Sequence, residues 1–148
     1  MVSTHCTRDV VTGQRHEPLA EAAQRMRDRH VGDLVIVDNQ EDRTPVGMLT
    51  DRDIVVGPVA QAAEHFNELT IGDVMSTPAI TVRESDDLDS GLSTMQSHGV
   101  RRMPVIDRTG SLCGLLAVDD VIRHVTAELG KLVTLQATGE EREFVRRP

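Results

Sequence analysis

A chain that repeats itself over most of its length must fold into two like units, and this chain does so. Sliding the sequence along itself by 69 residues lays "MRDRHVGDLVIVD" (Met26 to Asp38) over "MQSHGVRRMPVID" (Met95 to Asp107). Ahead of these segments, Leu19, Ala22, Ala23 and Met26 fall on Leu88, Gly91, Leu92 and Met95. Each set has the i, i+3, i+4, i+7 spacing of a helix with one buried stripe. Pro18 suits the first turn of the first helix. Ser85 is placed to cap the second, with Asp86 and Asp87 favouring its positive end.

Each predicted helix leads into a short apolar run, Leu34 to Val37 and Met103 to Ile106, then a polar turn and a second apolar run. Runs this short, rich in Val and Ile and bounded by Asp, Asn, Gly and Pro, predict the adjacent strands of a hairpin. Past the turns the offset falls to 67, with Gly47 on Gly114, because the first hairpin is two residues longer. Loops are where a repeat tolerates insertion. A second helix follows each hairpin. In the second copy it carries Val118, Val121, Ile122, Val125, Leu129 and Leu132 on one stripe, whereas Gly57 and Pro58 end its counterpart early. Extended segments around Val10 to Thr12 and Ile80 to Val82 enter the two units.

The expected fold is therefore α/β of the α+β type, two β-α-β-β-α repeats related by a pseudo-twofold. The repeats span residues 2–58 and 71–132, joined by a linker at 59–70 with a short helix of its own. A charged tail at 133–148 is expected to fray from Thr138 onward. One sheet face of each repeat has no cover of its own, so packing the two together buries both. Such a module presents matched outer surfaces, which predicts a homodimer.

The duplicated element with chemical content is "GMLTDRD" (Gly47 to Asp53), matched by "GLLAVDD" (Gly114 to Asp120). An ionised carboxylate presents two acceptor oxygens to a vicinal diol, and a hydroxyl beside free N–H groups at a helix start suits a phosphate. Thr-x-x-Asp is also a capping box, so the plainer role of Thr50 and Asp53 is to start a helix. Duplication in register weights the pair towards binding.

These two G-h-h-[ST]-x-x-D elements (h, apolar), together with "VRRMPVID", "DVMSTPAITV" and the order of the repeat, resemble the tandem CBS domain pair, or Bateman module. The resemblance covers roughly Val2 to Leu132 and is to the free-standing bacterial kind. It implies a regulatory module that binds an adenine nucleotide (AMP, ATP, an NAD-type cofactor or S-adenosylmethionine) in a cleft between the repeats. In the family pattern the motif Asp forks onto the ribose hydroxyls and the Ser or Thr three residues earlier faces the phosphate. That role falls to Thr50 and Asp53 in the first copy and to Asp120 in the second. The second copy departs from the pattern at Ala117, which weakens its cleft. Arg101 and Arg102 stand where the family places bases for phosphate, while the first copy has Gly32 and Asp33 there. One composite site, Asp53 with the second copy's arginines, is thus expected. The plainer reading of both arginines is a solvated edge or a salt bridge. Ile80, Val82, Met103 and Val105 would wall the base, with ordinary core as the alternative and the stronger one for Val105.

Charge and composition narrow the rest. Sixteen basic against 24 acidic residues, a net charge of −8, oppose binding to nucleic acid, and Phe66 and Phe144 are the only aromatic residues of the Phe, Tyr and Trp set. No segment approaches the roughly 20 apolar residues of a membrane span, and "MVSTHCTRDV" has no signal-like apolar stretch, so a cytoplasmic protein is expected. None of the six histidines pairs convincingly with another ligand type, and no structural metal is expected. No nucleophile with a base, carboxylate pair or metal set indicates an enzyme. Two alternatives to a nucleotide sensor stay open: an interaction scaffold with a decayed cleft that meets an unidentified protein target, and a thiol redox switch through Cys6 and Cys113.

Overall fold

The computed structural model describes the backbone of residues 1–146, and the side chains of all of these but 140, 141, 143, 145 and 146. The first repeat runs β1 (Thr12–Gly13), α1 (Leu19–Arg29), β2 (Asp33–Val37), β3 (Pro45–Thr50) and α2 (Asp51–Ile54). A kinked turn at Val55–Val59, with α3 (Ala60–Ala62) and a 3-10 segment at Ala63–Glu68, leads to α4 (Ile71–Val74). The second repeat follows as β4 (Val82–Arg83), α5 (Leu88–His98), β5 (Arg102–Ile106), β6 (Leu112–Ala117) and α6 (Val118–Arg146).

Two three-stranded sheets result, ordered β1-β2-β3 and β4-β5-β6. In each, the short entering strand lies parallel to the central one, which forms an antiparallel hairpin with the third. Both hairpins carry an irregularity at the equivalent place, Ile36/Val37 and Val105/Ile106. The duplication therefore extends to the details of register.

The helices form as their stripes dictate. Leu19, Ala22 and Met26 are buried on α1, and Gly91 and Met95 on α5. The residue that caps α5 is Asp87, whose carboxylate accepts from Ser90 N at 2.7 Å, rather than Ser85. Asp87 directly precedes the first helical residue, where its oxygen reaches the orphan N–H groups; Ser85 lies two residues too early. The entering strands lie slightly later than Val10 to Thr12 and Ile80 to Val82, where Thr12 and Gly13 pair with Val35 and Ile36, and Val82 and Arg83 with Val105 and Ile106. Gly57, with φ −83° and ψ −105°, kinks the chain after α2 as expected, although helical turns resume beyond it.

The larger surprise is at the end. In place of a frayed tail from Thr138, α6 continues unbroken through Leu132 to Arg146; the last two positions of the expected tail, 147–148, lie outside the described residues. Nothing between Val118 and Arg146 is a proline, and Leu, Glu, Arg and Ala, which favour the helix, recur along the segment. Gly130 and Gly139 weaken it without stopping it.

The repeats also exchange their leading segments. Thr7 pairs with Leu115 on β6, and Ser76 pairs with Met48 on β3. Val2 is buried in the second repeat's core with Met95, Met103 and Leu116, while Ile71 and Met75 belong to the first repeat's core with Leu19 and Leu49. The motif glycines make room for this crossing. A Cβ on Gly114 would stand 2.8 Å from Cys6 Sγ and 3.1 Å from the Thr7 carbonyl oxygen, and one on Gly47 would collide with the Ser76 carbonyl. A third cluster, Val35, Val37 and Leu112 with Val10, Met48 and Leu115, joins the halves. Met48 and Leu115 are equivalent under the 67-residue offset, so this is the interface along the pseudo-twofold.

Candidate functional site

β3 ends at Thr50 and turns at once into α2, which fixes where the motif side chains can point. Thr50 N donates to Asp53 Oδ2 at 2.9 Å, and Asp53 N donates to Thr50 Oγ1 at 3.1 Å. The capping box is therefore real. It does not exhaust either group: the Thr50 hydroxyl proton and Asp53 Oδ1 enter none of the hydrogen bonds among the described residues.

Both residues line a cleft of about 450 Å³ between the repeats. Met48, Thr50 and Asp53 form one side; Pro78, Ala79 and Ile80 form the floor; Val100, Arg101 and Arg102 close the other. Thr50, Asp53, Ile80, Arg101 and Arg102 are thus brought together from three separate parts of the chain. A cavity of this size suits a small organic ligand, with aliphatic wall on one hand and convergent polar groups on the other.

The two arginines differ. Arg101 Nη2 lies 3.2 Å from Asp119 Oδ1, but the side chains are 77% and 57% exposed, so water competes for the pair. Arg102 Nη1 lies 2.8 Å from Asp33 Oδ2, and Asp33 is only 8% exposed. Burial pushes the Asp33 carboxyl up; Arg102 pulls it back and Asp51 pushes it further. Arg102 also lines a second, opposite cleft of about 280 Å³, so it stands between the two.

That second cleft holds Asp120, away from the first. Asp120 Oδ2 accepts from Thr7 Oγ1 at 3.3 Å and Oδ1 accepts from Arg123 Nη1 at 2.9 Å, so both carboxylate oxygens are engaged. Ala117 offers no hydroxyl there, and Asp9, Asp33 and Asp119 crowd the same cleft with negative charge. An anion is disfavoured in it.

Three expected wall residues do not face the first cleft. Val82, Met103 and Val105 are buried, at 5%, 0% and 0% exposure, in the second repeat's own core. Met103 and Val105 share one face of β5, and that face packs on the repeat's helices, because a strand can present alternate residues to only one side. The wall is instead Met48, Ala79, Ile80 and Val100. Met48 was within reach of sequence reasoning: it lies two residues before Thr50 on the same strand and so on the same face.

The fold and the site together define a duplicated α/β module whose two repeats share one partly polar cleft. The CBS domain model matches residues 2–57 and 71–127, and the chain belongs to that family as a tandem pair. It is 37% identical over 110 residues to Hypoxic response protein 1 of Mycobacterium tuberculosis, covering 74% of each chain. It is 35% identical over 116 residues to the uncharacterized protein MK0525 of Methanopyrus kandleri, covering 78% of this chain and 58% of that longer relative. A crystal structure of Hypoxic Response Protein I with two coordinated zinc ions superposes with a TM-score of 0.70 at 35% identity, covering 83% of this chain and 97% of that one. The CBS pair of protein MJ0100, in complex with 5-methylthioadenosine and S-adenosyl-L-methionine, has the same fold, with a TM-score of 0.73 at 24% identity, covering 86% and 97%. Among the described residues of the present chain, no group of three or more His, Cys, Asp or Glu side chains is arranged to hold a metal ion. No described helix is long and apolar enough to cross a membrane.

Proposed function

We propose that this CBS pair is a cytoplasmic, homodimeric regulatory module that binds one adenine-containing nucleotide in the cleft between Asp53 and Arg102, and acts by binding rather than catalysis. The observation that carries the reading is the convergence of Thr50 and Asp53 with Ile80, Arg101 and Arg102 on one cavity of about 450 Å³. Asp53 Oδ1 would take a ribose hydroxyl, the Thr50 hydroxyl and Arg101 the phosphate, and Ile80 with Met48 and Val100 the base. The adenine-containing ligands of the MJ0100 pair support this chemistry. Ligand binding would shift the angle between repeats or subunits by no more than its difference in affinity for the two states.

The test is a thermal-shift screen against AMP, ADP, ATP, NAD, NADP and S-adenosylmethionine, on wild type, Asp53→Ala and Asp53→Asn. Saturation at 100 times the dissociation constant adds about 2.7 kcal/mol, which is on the order of 5 to 10 °C here. Asn keeps an acceptor for the Thr50 N–H but removes the charge, so loss of the shift in Asp53→Asn reports binding rather than a broken cap. No shift with any ligand would favour the scaffold reading, whose own support is that Asp33 already occupies Arg102.

A further inference from the structure

We propose that α6 is the dimerisation element of the chain, its exposed apolar seam pairing with the same seam on a second copy. The inference rests on the homodimer part of the functional reading and is independent of the nucleotide part. The body of the protein buries α6 only through its first turn, where Val121 is 5% exposed; beyond it, the exposed His124 still touches the His5 ring. From Ile122 to Gly139 every side chain is exposed. Ile122, Val125, Leu129, Leu132 and Leu135 are 56%, 47%, 57%, 61% and 68% exposed.

Their spacing identifies the kind of surface they want. Val118, Ile122, Val125, Leu129 and Leu132 follow steps of four, three, four and three, the 3.5-residue period of a seam between two wrapped helices. The family match ends at residue 127, so the rest of the helix is an addition to the CBS pair. Its counterpart in the first repeat breaks at Gly57, leaving α6 as the one long seam among the described elements. A lone helix of this kind is marginal in water, and a contiguous run of large aliphatic side chains is more than a monomer usually exposes.

A second copy fits better than a charged partner. Although the chain carries a net charge of −8, Ile122 to Leu135 holds only Arg123, Glu128 and Lys131 among Asp, Glu, Lys and Arg. All three are satisfied within the helix, Lys131 Nζ to Glu128 Oε1 at 2.6 Å and Arg123 Nη1 to Asp120 Oδ1 at 2.9 Å. Two seams can therefore meet without the repulsion that the rest of the surface would impose. Six side chains, Val133 included, at on the order of 100 Å² each, cover roughly 1,200 Å² over two copies, the lower end of a stable interface.

The experiment is light scattering after size exclusion on the full chain across micromolar concentrations. Wild type should run at twice the chain mass and Leu129→Glu with Leu132→Glu at the monomer mass, with circular dichroism still reporting the folded body and Leu129→Met with Leu132→Met still dimeric. A charged double variant that stays dimeric overturns the seam while leaving the homodimer standing. A wild type that is monomeric throughout overturns both, and assigns the seam to some other protein. The nucleotide thermal shift, measured on the monomeric variant, tells either failure apart from failure of the binding site.

Discussion

Arg102 Nη1 lies 2.8 Å from Asp33 Oδ2, and the two residues occupy the same position of the two repeats, 69 apart in sequence. At most places duplicated residues see equivalent but separate surroundings. Near the pseudo-twofold they see each other. Two copies of either residue there would set like charges together; Asp in one repeat and Arg in the other make an ion pair instead, and Arg102 lines both clefts.

That pair makes a prediction for stability. Arg102→Ala strands a buried carboxylate and should cost about 2 kcal/mol at pH 7, below the usual buried-pair figure because Arg102 is itself partly solvated. Asp33 titrates above its ordinary value, chiefly through burial. A folded value above the unfolded one means that its ionisation subtracts stability as pH rises through that window, and the cost persists at pH 7. Losing Arg102 enlarges the cost, so the penalty of Arg102→Ala should shrink between pH 7 and pH 5 in urea titrations. A penalty independent of pH would mean that Asp33 is not the group left unpaired.

The two motif copies predict opposite responses at one position. Thr50→Ala removes a hydroxyl that accepts from Asp53 N at 3.1 Å and should cost about 1 kcal/mol, with Thr50→Ser close to wild type. Ala117 directly precedes α6, with Asp120 three residues on. Ala117→Ser should therefore install the missing cap and add roughly 0.5 to 1 kcal/mol. Chemical denaturation of the three variants checks both signs.

The elements of the fold were legible because each rests on a local period: the helical stripes at Leu19 and Leu88, the paired apolar runs at Leu34 and Met103, the break at Gly57. The exchange of leading segments was not. Val2 and Met75 carry no local mark of which sheet they will meet, and only the close approach at Gly47 and Gly114 explains the crossing. The site divides in the same way. Thr50 and Asp53 stand out by their duplicated motif and Arg101 and Arg102 by the family resemblance, and all four line the candidate cleft, whereas strand parity turns Met103 and Val105, with Val82, away from it into the core. For an apolar residue on a strand, the sequence names two faces without saying which one is core.

His30 and Gly99, again 69 apart, end α1 and α5 in the left-handed conformation, at φ 53° and φ 65°. Glycine adopts it freely; a side chain with a Cβ does not. His30→Gly should raise stability by about 1 kcal/mol, since the second repeat shows the same turn made with glycine. An unchanged or lowered midpoint in denaturant would mean that the His30 side chain contributes contacts that outweigh its backbone cost.

The surroundings of His5 predict a sensitivity to mild acid. Its ring packs edge-on against His124 with centroids 4.5 Å apart, and its buried Nδ1 has no hydrogen-bond partner among the described residues. Burial, then the positive charge of His124, then that of the amino terminus hold His5 below the ordinary histidine range. A base whose folded value is depressed binds protons more readily when unfolded. Its contribution is therefore fully present above about pH 6.5 and is lost as pH falls through the lower folded value. The melting temperature should drop between pH 7.5 and pH 5, and His124→Gln should make that drop smaller by removing the like charge beside His5. Because Thr7, two residues on, pairs with Leu115 at the edge of β6, the same acidification should also loosen the N-terminal crossing. Hydrogen exchange at the Thr7 and Leu115 amides, faster at pH 5 than the intrinsic rate change accounts for, would show that loosening directly, and protection equal at both pH values would place the His5 effect elsewhere.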